Sequence, residues 1–262
     1  MCESTSRSGL FGLTLSLACL IALLCSPASA DLTEGLIAYW PCDEGEGQFA
    51  YDVSGYGNHA TLSGAEWVPG FQGWGLEILA TDIVQSIPRS FDDAIGSAFT
   101  VAAWVRWDGP SAYGRPGTVL DGRSPVEGFF LGIQPDGFLR LNVYHAPSGG
   151  EGVQSTSTVP LSAWTHVAGV FEVASQSLRV YITGVEAGAA TATRPYYDSY
   201  SSAALGNNRW APGDGQWAPL NGVLDEVRLY DRALSDEEIA ELALGPTPTL
   251  ETTWGAVKSL FR

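Results

Sequence analysis

The sequence predicts an all-β fold, a sandwich or a jelly roll, with one short helix after the last strand. Three observations predict it. From residue 35 to 230 short runs rich in Val, Tyr, Trp and Thr recur, punctuated by Gly, Pro, Asp and Ser. Several of them alternate: in "SLRVYITG" Leu178, Val180 and Ile182 fall on one face and Arg179, Tyr181 and Thr183 on the other. No long 3.6-residue period interrupts the series, which excludes an α/β fold.

Taken in order, the chain opens with a stretch of different character. "MCESTSRSG" carries Arg7, "LFGLTLSLACLIALLC" is an apolar run of sixteen residues, and "SPASA" places small Ala28 and Ala30 before Asp31. This is the pattern of a signal peptide over 1–30, cleaved after Ala30, and the run is short for a bilayer span. An exported protein, secreted or at the cell surface and without a membrane span after cleavage, is the expectation.

The first strand, "GLIAYWPC", follows, then "YDVSGYGNHATLSG" at 51–64. This second stretch has two readings. Gly, Asn, Asp and Ser suit a tight turn, in which Asp and Ser bond their own backbone. The same carboxylate, amide and carbonyl oxygens are what a hard cation such as Ca²⁺ selects. Further along, "FTVAAWVRW", "GFFLGIQ", "FLRLNVYH" and "WTHVAGVFEV" read as strands, and Asp136-Gly137 in "QPDGFLRL" as a hairpin signal. "GVLDEVRLY" is the last strand.

A helix is expected next. Ser235 and Glu238 form a capping box in "SDEEIAELALG", Asp236 and Glu237 suit its positive N-terminus, and Gly245 stops it. The folded domain therefore spans 31–245. Residues 246–262 divide into a Pro/Thr linker and a short amphipathic segment with Trp254, Val257, Leu260 and Phe261 at helical spacing.

Composition narrows the functional classes. Cys2, Cys19 and Cys25 lie within 1–30, so a chain cleaved after Ala30 keeps only Cys42 and makes no internal disulfide. The formal charge of −16 argues against nucleic acid or an anionic membrane as partner. No Cys or His cluster has zinc spacing.

The blocks "GLIAYWPCDEGEG", "YDVSGYGNHATLSG", "FTVAAWVRW", "WTHVAGVFEVASQSLRVYITGVEAG" and "LNGVLDEVRLYDRALSDEEI" occur in that order. In this they resemble the laminin G-like jelly rolls of the concanavalin A-like lectin/glucanase superfamily, as found in exported bacterial proteins, over roughly 35–242. The resemblance implies two antiparallel sheets packed face to face as a jelly-roll sandwich, the first strand beside the last, and a structural Ca²⁺ at their junction. Asp52 and Asn58 match its side-chain ligands, Asp225 its ligand on the last strand, and Glu44 a further carboxylate. Carbonyls from Gly55 to His59 would complete the shell.

The superfamily includes glycoside hydrolases, so a carboxylate pair on one strand face is the feature to seek. The Glu-x-Asp-x-x-Glu strand signature is absent, and simple alternation sends Asp225 and Glu226 to opposite faces. His59, His145 and His166 are scattered without a nucleophile. No catalytic residue is assigned. Trp40, Trp104 and Trp164 fall in apolar strands and read as core. Tyr196, Tyr197 and Tyr200 in "RPYYDSYSS", with Trp210 and Trp217 in "NNRWAPGDGQW", lie in polar loops and are the candidate ligand-binding aromatics. The expectation is a non-catalytic recognition or adhesion module for a glycan or an extracellular protein surface. A hydrolase with an unrecognised carboxylate pair and a purely structural secreted protein are the alternatives.

Overall fold

The computed structural model describes residues 31–78, 86–87, 95–111, 114–123, 128–144, 149–193, 203–207 and 218–245. The strands in chain order begin with β1 (Leu36–Trp40), β2 (Phe49–Ala50), β3 (Ala60–Thr61), β4 (Glu66–Pro69), β5 (Trp74–Ile78), β6 (Ser86–Ile87), β7 (Ala98–Trp107) and β8 (Gly117–Asp121). They continue with β9 (Gly128–Ile133), β10 (Phe138–Tyr144), β11 (Gly150–Thr158), β12 (Trp164–Glu172), β13 (Ser177–Ile182), β14 (Val185–Thr191), β15 (Ala203–Leu205) and β16 (Gly222–Tyr230). Helix α1 (Asp236–Leu242) comes last.

Among the described residues two eight-stranded antiparallel sheets form. The first runs β14-β13-β12-β7-β16-β5-β4, with β1 also paired to β16, and the second runs β11-β10-β9-β8-β15-β6-β3-β2. The expected neighbour relation between first and last strands is present, with Leu36 opposite Tyr230 and Trp40 opposite Val227.

The alternation read from the sequence sorts the side chains as period-2 geometry requires. Leu178, Val180 and Ile182 enter the core between the sheets with Phe99, Val101, Leu131 and Leu141. The opposite face of the first sheet is not left to solvent. Ala102, Ala168, Val170, Tyr181 and Tyr230 form a second cluster under Ile239 and Leu242 of α1. The helix is anchored there: the Tyr181 hydroxyl donates to Asp236 Oδ1 at 2.7 Å and Arg179 to the same oxygen at 2.9 Å. Its capping box forms as predicted, Ser235 accepting from the Glu238 N–H while Glu238 accepts from the Ser235 N–H.

The three tryptophans expected in the core divide. Trp40 is fully buried between the sheets, while Trp104 is buried on the outer face of the first sheet under a stacked Phe71, ring centroids 3.6 Å apart. Trp164 is half-buried. The turn chemistry also divides. Gly137 (φ 90) closes the β9–β10 connection as "DG" suggested, yet the two-residue hairpin with positive φ at both positions is Thr183-Gly184.

Candidate functional site

The stretch 51–59 folds around Asp52, which is 6% exposed. Its Oδ1 accepts from the N–H groups of Tyr39 and Ser54, both at 2.9 Å, and its Oδ2 from the N–H of Asn58 at 2.8 Å. Such charge-assisted bonds are about twice as strong as neutral ones. Asn58 in turn donates through Nδ2 to the Ile37 carbonyl at 2.8 Å and accepts from Trp40 Nε1 at 2.8 Å. The loop is thereby stitched to β1, with Gly55 and Gly57 supplying the positive φ it needs. Asn58 Oδ1 is buried and has no hydrogen-bond partner. Glu44 accepts from the Tyr51 N–H at 2.8 Å through Oε1 and leaves Oε2 buried without a partner.

Asp225 belongs to a neighbouring group. A β-bulge between Asp225 and Arg228 inserts one residue into β16 opposite β7, and Glu226 takes φ 53 to accommodate it. Leu224 and Val227 both point into the core, so the two residues between them are held on the outer side. This corrects the expectation of opposite faces: the bulge breaks the alternation. Both carboxylates are buried and engaged. Asp225 accepts from the Gln72 N–H at 3.0 Å and from the Glu226 N–H at 2.8 Å. Glu226 Oε2 accepts from the Tyr39 hydroxyl at 2.7 Å and from Arg228 at 2.6 Å, and the Arg228 guanidinium lies 4.1 Å from the Tyr39 ring centre.

The β4–β5 turn is held against this group by two carboxylates. Asp225 takes the Gln72 N–H and Asp43 the Trp74 N–H, the latter at 3.0 Å. A Cβ at Gly70 would lie 2.7 Å from Asp225 Oδ2, and one at Gly73 would overlap Asp43 Oδ1, so both positions need glycine. Burial pushes the Asp225 carboxyl up to about 7; the N–H donors oppose the shift and the charges of Glu226 and Asp43 add to it. Burial, then the charges of Asp225, Glu44, Glu226 and Asp43, push the Cys42 thiol well above its ordinary value.

For a hard cation the donor chemistry fits: oxygens alone, two of them buried and unpartnered, and a buried Asp225 with no basic side chain paired to it among the described residues. The side chains are not gathered as one ligand set. Among the described residues no three Asp, Glu, His or Cys groups converge in that way.

A separate polar array lies on the outer face of the second sheet. Asp121, Phe130 and Asn142 stand opposite one another across β8, β9 and β10, with Gly152 next on β11. Arg123 forms a bidentate pair with Asp121, Nε to Oδ1 at 2.9 Å and Nη2 to Oδ2 at 2.8 Å. Its guanidinium lies 5.3 Å from the Phe130 ring centre and 5.5 Å from that of Tyr144. On β10, Arg140 Nε donates to Asn142 Oδ1 at 2.8 Å and Asn142 Nδ2 to the Tyr144 hydroxyl at 3.3 Å. Asp121, Arg123, Phe130 and Asn142 are buried while Arg140 and Tyr144 are half-buried, and glycines make room for the array, since a Cβ at Gly152 would overlap Asn142 Oδ1 and one at Gly132 the Phe130 ring.

Over residues 80–240 the sequence matches a laminin G-type family model described as the Concanavalin A-like lectin/glucanases superfamily. The chain belongs to that superfamily. Among solved structures, this concanavalin A-like chain is similar to domain 4 of AbnA, a GH43 extracellular arabinanase from Geobacillus stearothermophilus, solved with arabinotriose. The TM-score is 0.62 at 22% identity, covering 79% of this chain and 98% of that one. It is also similar to the binding domain of Paraclostridial Mosquitocidal Protein 1, with TM-score 0.61 at 16% identity over 80% of this chain and 52% of that one. A third similar structure, of botulinum neurotoxin type C, whose cell entry depends on two ganglioside molecules, gives TM-score 0.60 at 13% identity over 83% and 53%. The concanavalin A-like chain thus spans about half the length of the toxin structures, and at these identities the likeness is one of fold. No curated protein matches the sequence. Among the described residues no helix is long and apolar enough to cross a membrane.

Of the residues singled out in the sequence of this concanavalin A-like chain, Asp52 and Asn58 are brought into direct contact, and Asp225 sits in the adjoining group with Asp43 and Glu226. Tyr196, Tyr197, Tyr200, Trp210 and Trp217 lie outside the described residues. The array of Arg140, Asn142 and Tyr144 was missed. Its signal was the alternation in "FLRLNVYH", which puts those three on one outward face.

Proposed function

We propose that the protein is an exported, non-catalytic carbohydrate-recognition module whose ligand lies on the outer face of β8–β11. One observation carries this: a glycine-floored sheet face on which half-buried Arg140 and Tyr144 flank buried Asn142 in one hydrogen-bonded line, with Arg123 of the Asp121–Arg123 pair against the Tyr144 ring. Directional donors beside an aromatic ring suit a polyhydroxylated ligand. The binding-domain character of similar structures supports the same reading, and the apolar N-terminal stretch supports export.

A structural Ca²⁺ belongs to this proposal. Asn58 and Glu44, each with a buried unpartnered oxygen, would hold it together with Asp52, and Asp225 would have to swing in from the adjoining group; bound so, it would offset the charge of buried carboxylates and join the opening loop to the last strand. A protein surface is the second reading for the partner, favoured by Phe49, Tyr51, Val53 and Tyr56, each 44–57% exposed along the opening stretch.

The test is a glycan array and calorimetry with wild type and Tyr144→Ala, in calcium and in chelator. Saccharide binding that is lost in Tyr144→Ala with the fold retained is the expected result. Binding unaffected by that change would move the ligand off this face.

A further inference from the structure

Resting on that reading, we infer that the ligand of the β8–β11 face is an acidic saccharide, its carboxylate taken by Arg140. The described residues include seven arginines. Five have a carboxylate partner: Arg106 with Asp108 and Glu77, Arg123 with Asp121, Arg179 with Asp236, Arg228 with Glu226, and Arg232 with Glu238. Arg140 has none among the described residues, and only Arg115, in the connection before β8, shares that condition. The whole chain holds 29 acidic residues against 13 basic ones, so an arginine without an acidic neighbour is the exception here.

The surroundings of Arg140 keep it so. Cross-strand it faces Gly132 on β9 and Gln154 on β11, neither of which offers a charge. Among the described residues the carboxylate of this face is Asp121, and both its oxygens are engaged by Arg123. Asn142 fixes the guanidinium through Nε and offers no charge in return. A guanidinium has five N–H donors in a planar fork, and spending Nε leaves the terminal Nη groups to grip a carboxylate.

The polarity of the line points the same way. Because Arg140 can only donate, Asn142 presents Oδ1 to it and turns Nδ2 towards the Tyr144 oxygen. The Tyr144 hydroxyl accepts that bond and keeps its own proton to give. Each end of the line therefore presents donors, from half-buried side chains that solvent reaches. Donors at both ends select an acceptor-rich partner, and the positive charge at one end selects an anion. On a protein of net charge −16, long-range attraction cannot supply this preference, so a local contact has to.

The experiment compares galacturonate oligomers with neutral galactose oligomers of the same length, by calorimetry on wild type, Arg140→Gln, Arg140→Lys and Tyr144→Ala. Wild type should prefer the acidic series by at least about tenfold, the size of one charge-assisted pair. Arg140→Gln should erase the preference, bringing the acidic and neutral series to within about twofold of each other, with the thermal melt unchanged. Arg140→Lys should keep only part, since an ammonium lacks the planar fork. Neutral binding that Tyr144→Ala abolishes, with no acidic preference in wild type, would overturn the inference and leave the proposed function standing. Failure of both series to bind would overturn both.

Discussion

The Tyr39 hydroxyl donates to Glu226 Oε2 at 2.7 Å, joining two residues 187 positions apart. Tyr39 lies on β1 and Glu226 at the bulge of β16, and Arg228 donates to the same oxygen. Tyr39→Phe should leave Glu226 with one fewer donor in a buried setting and destabilise the fold by about 1–3 kcal/mol. A urea melt of the two proteins measures this. Equal midpoints would show that the hydroxyl bond contributes nothing net.

Calcium should raise the melting temperature relative to chelator, because a ligand bound only by the native state stabilises it by mass action. Asp225→Asn keeps the shape of the side chain and removes its charge, and should abolish that difference. Scanning fluorimetry in calcium and in EDTA reads both effects. Identical melting temperatures for wild type in the two buffers would remove the metal from the proposal.

His166 should make stability fall in acid. It is 1% exposed, neither ring nitrogen has a hydrogen-bond partner, and burial followed by the nearby Arg228 charge lowers its pKa from 6.5 to about 3. A lowered folded-state pKa means the unfolded chain binds the proton first. The stabilisation is complete above about pH 6.5 and is lost as pH falls towards 3. Between pH 7 and 5 the loss is about 2 kcal/mol. Asp225, with its carboxyl pushed up to about 7, works in the opposite sense over part of this window. The readout is therefore the difference between wild type and His166→Phe at the two pH values, which should shrink in acid. A constant difference would show that folding leaves the proton affinity of His166 unchanged.

Cys42 should be silent towards thiol reagents in the native protein. It is fully buried, and the four carboxylates around it disfavour the thiolate that would react. A chain beginning at Asp31 should give no signal with a disulfide reagent when native and one thiol per chain in denaturant. Rapid native labelling would contradict the buried position.

Much of the fold was legible because its signals are local. The alternation in "SLRVYITG" sorted Leu178 and Val180 from Tyr181, and Ser235 with Glu238 marked the helix start to the residue. What stayed hidden depends on pairing between distant strands. Glu226 adopts a positive φ with no glycine to announce it, so nothing in "LDEVRLY" told that Asp225 and Glu226 share a side. Tyr181 reads as an outward residue of an edge hairpin; only the return of α1 over that face buries it. On the β8–β11 face the types were visible, but aromatic loops drew the reading away from the polar members of β10.

The position of β16 bears on how this protein comes into being. It lies inside the first sheet, bonded to β7 on one side and to β5 and β1 on the other, yet among the described residues it is the last strand in chain order. Until residues 222–230 emerge, β7, β5 and β1 have no common neighbour and the sheet is three fragments, β14-β13-β12-β7, β5-β4 and β1, with bare edges. Assembly must then wait for nearly the whole domain, and pairings this remote place it among slow folders, on the millisecond-to-second scale. In that interval the open edges are the molecule's point of exposure to aggregation, and holding them apart is work for chaperones.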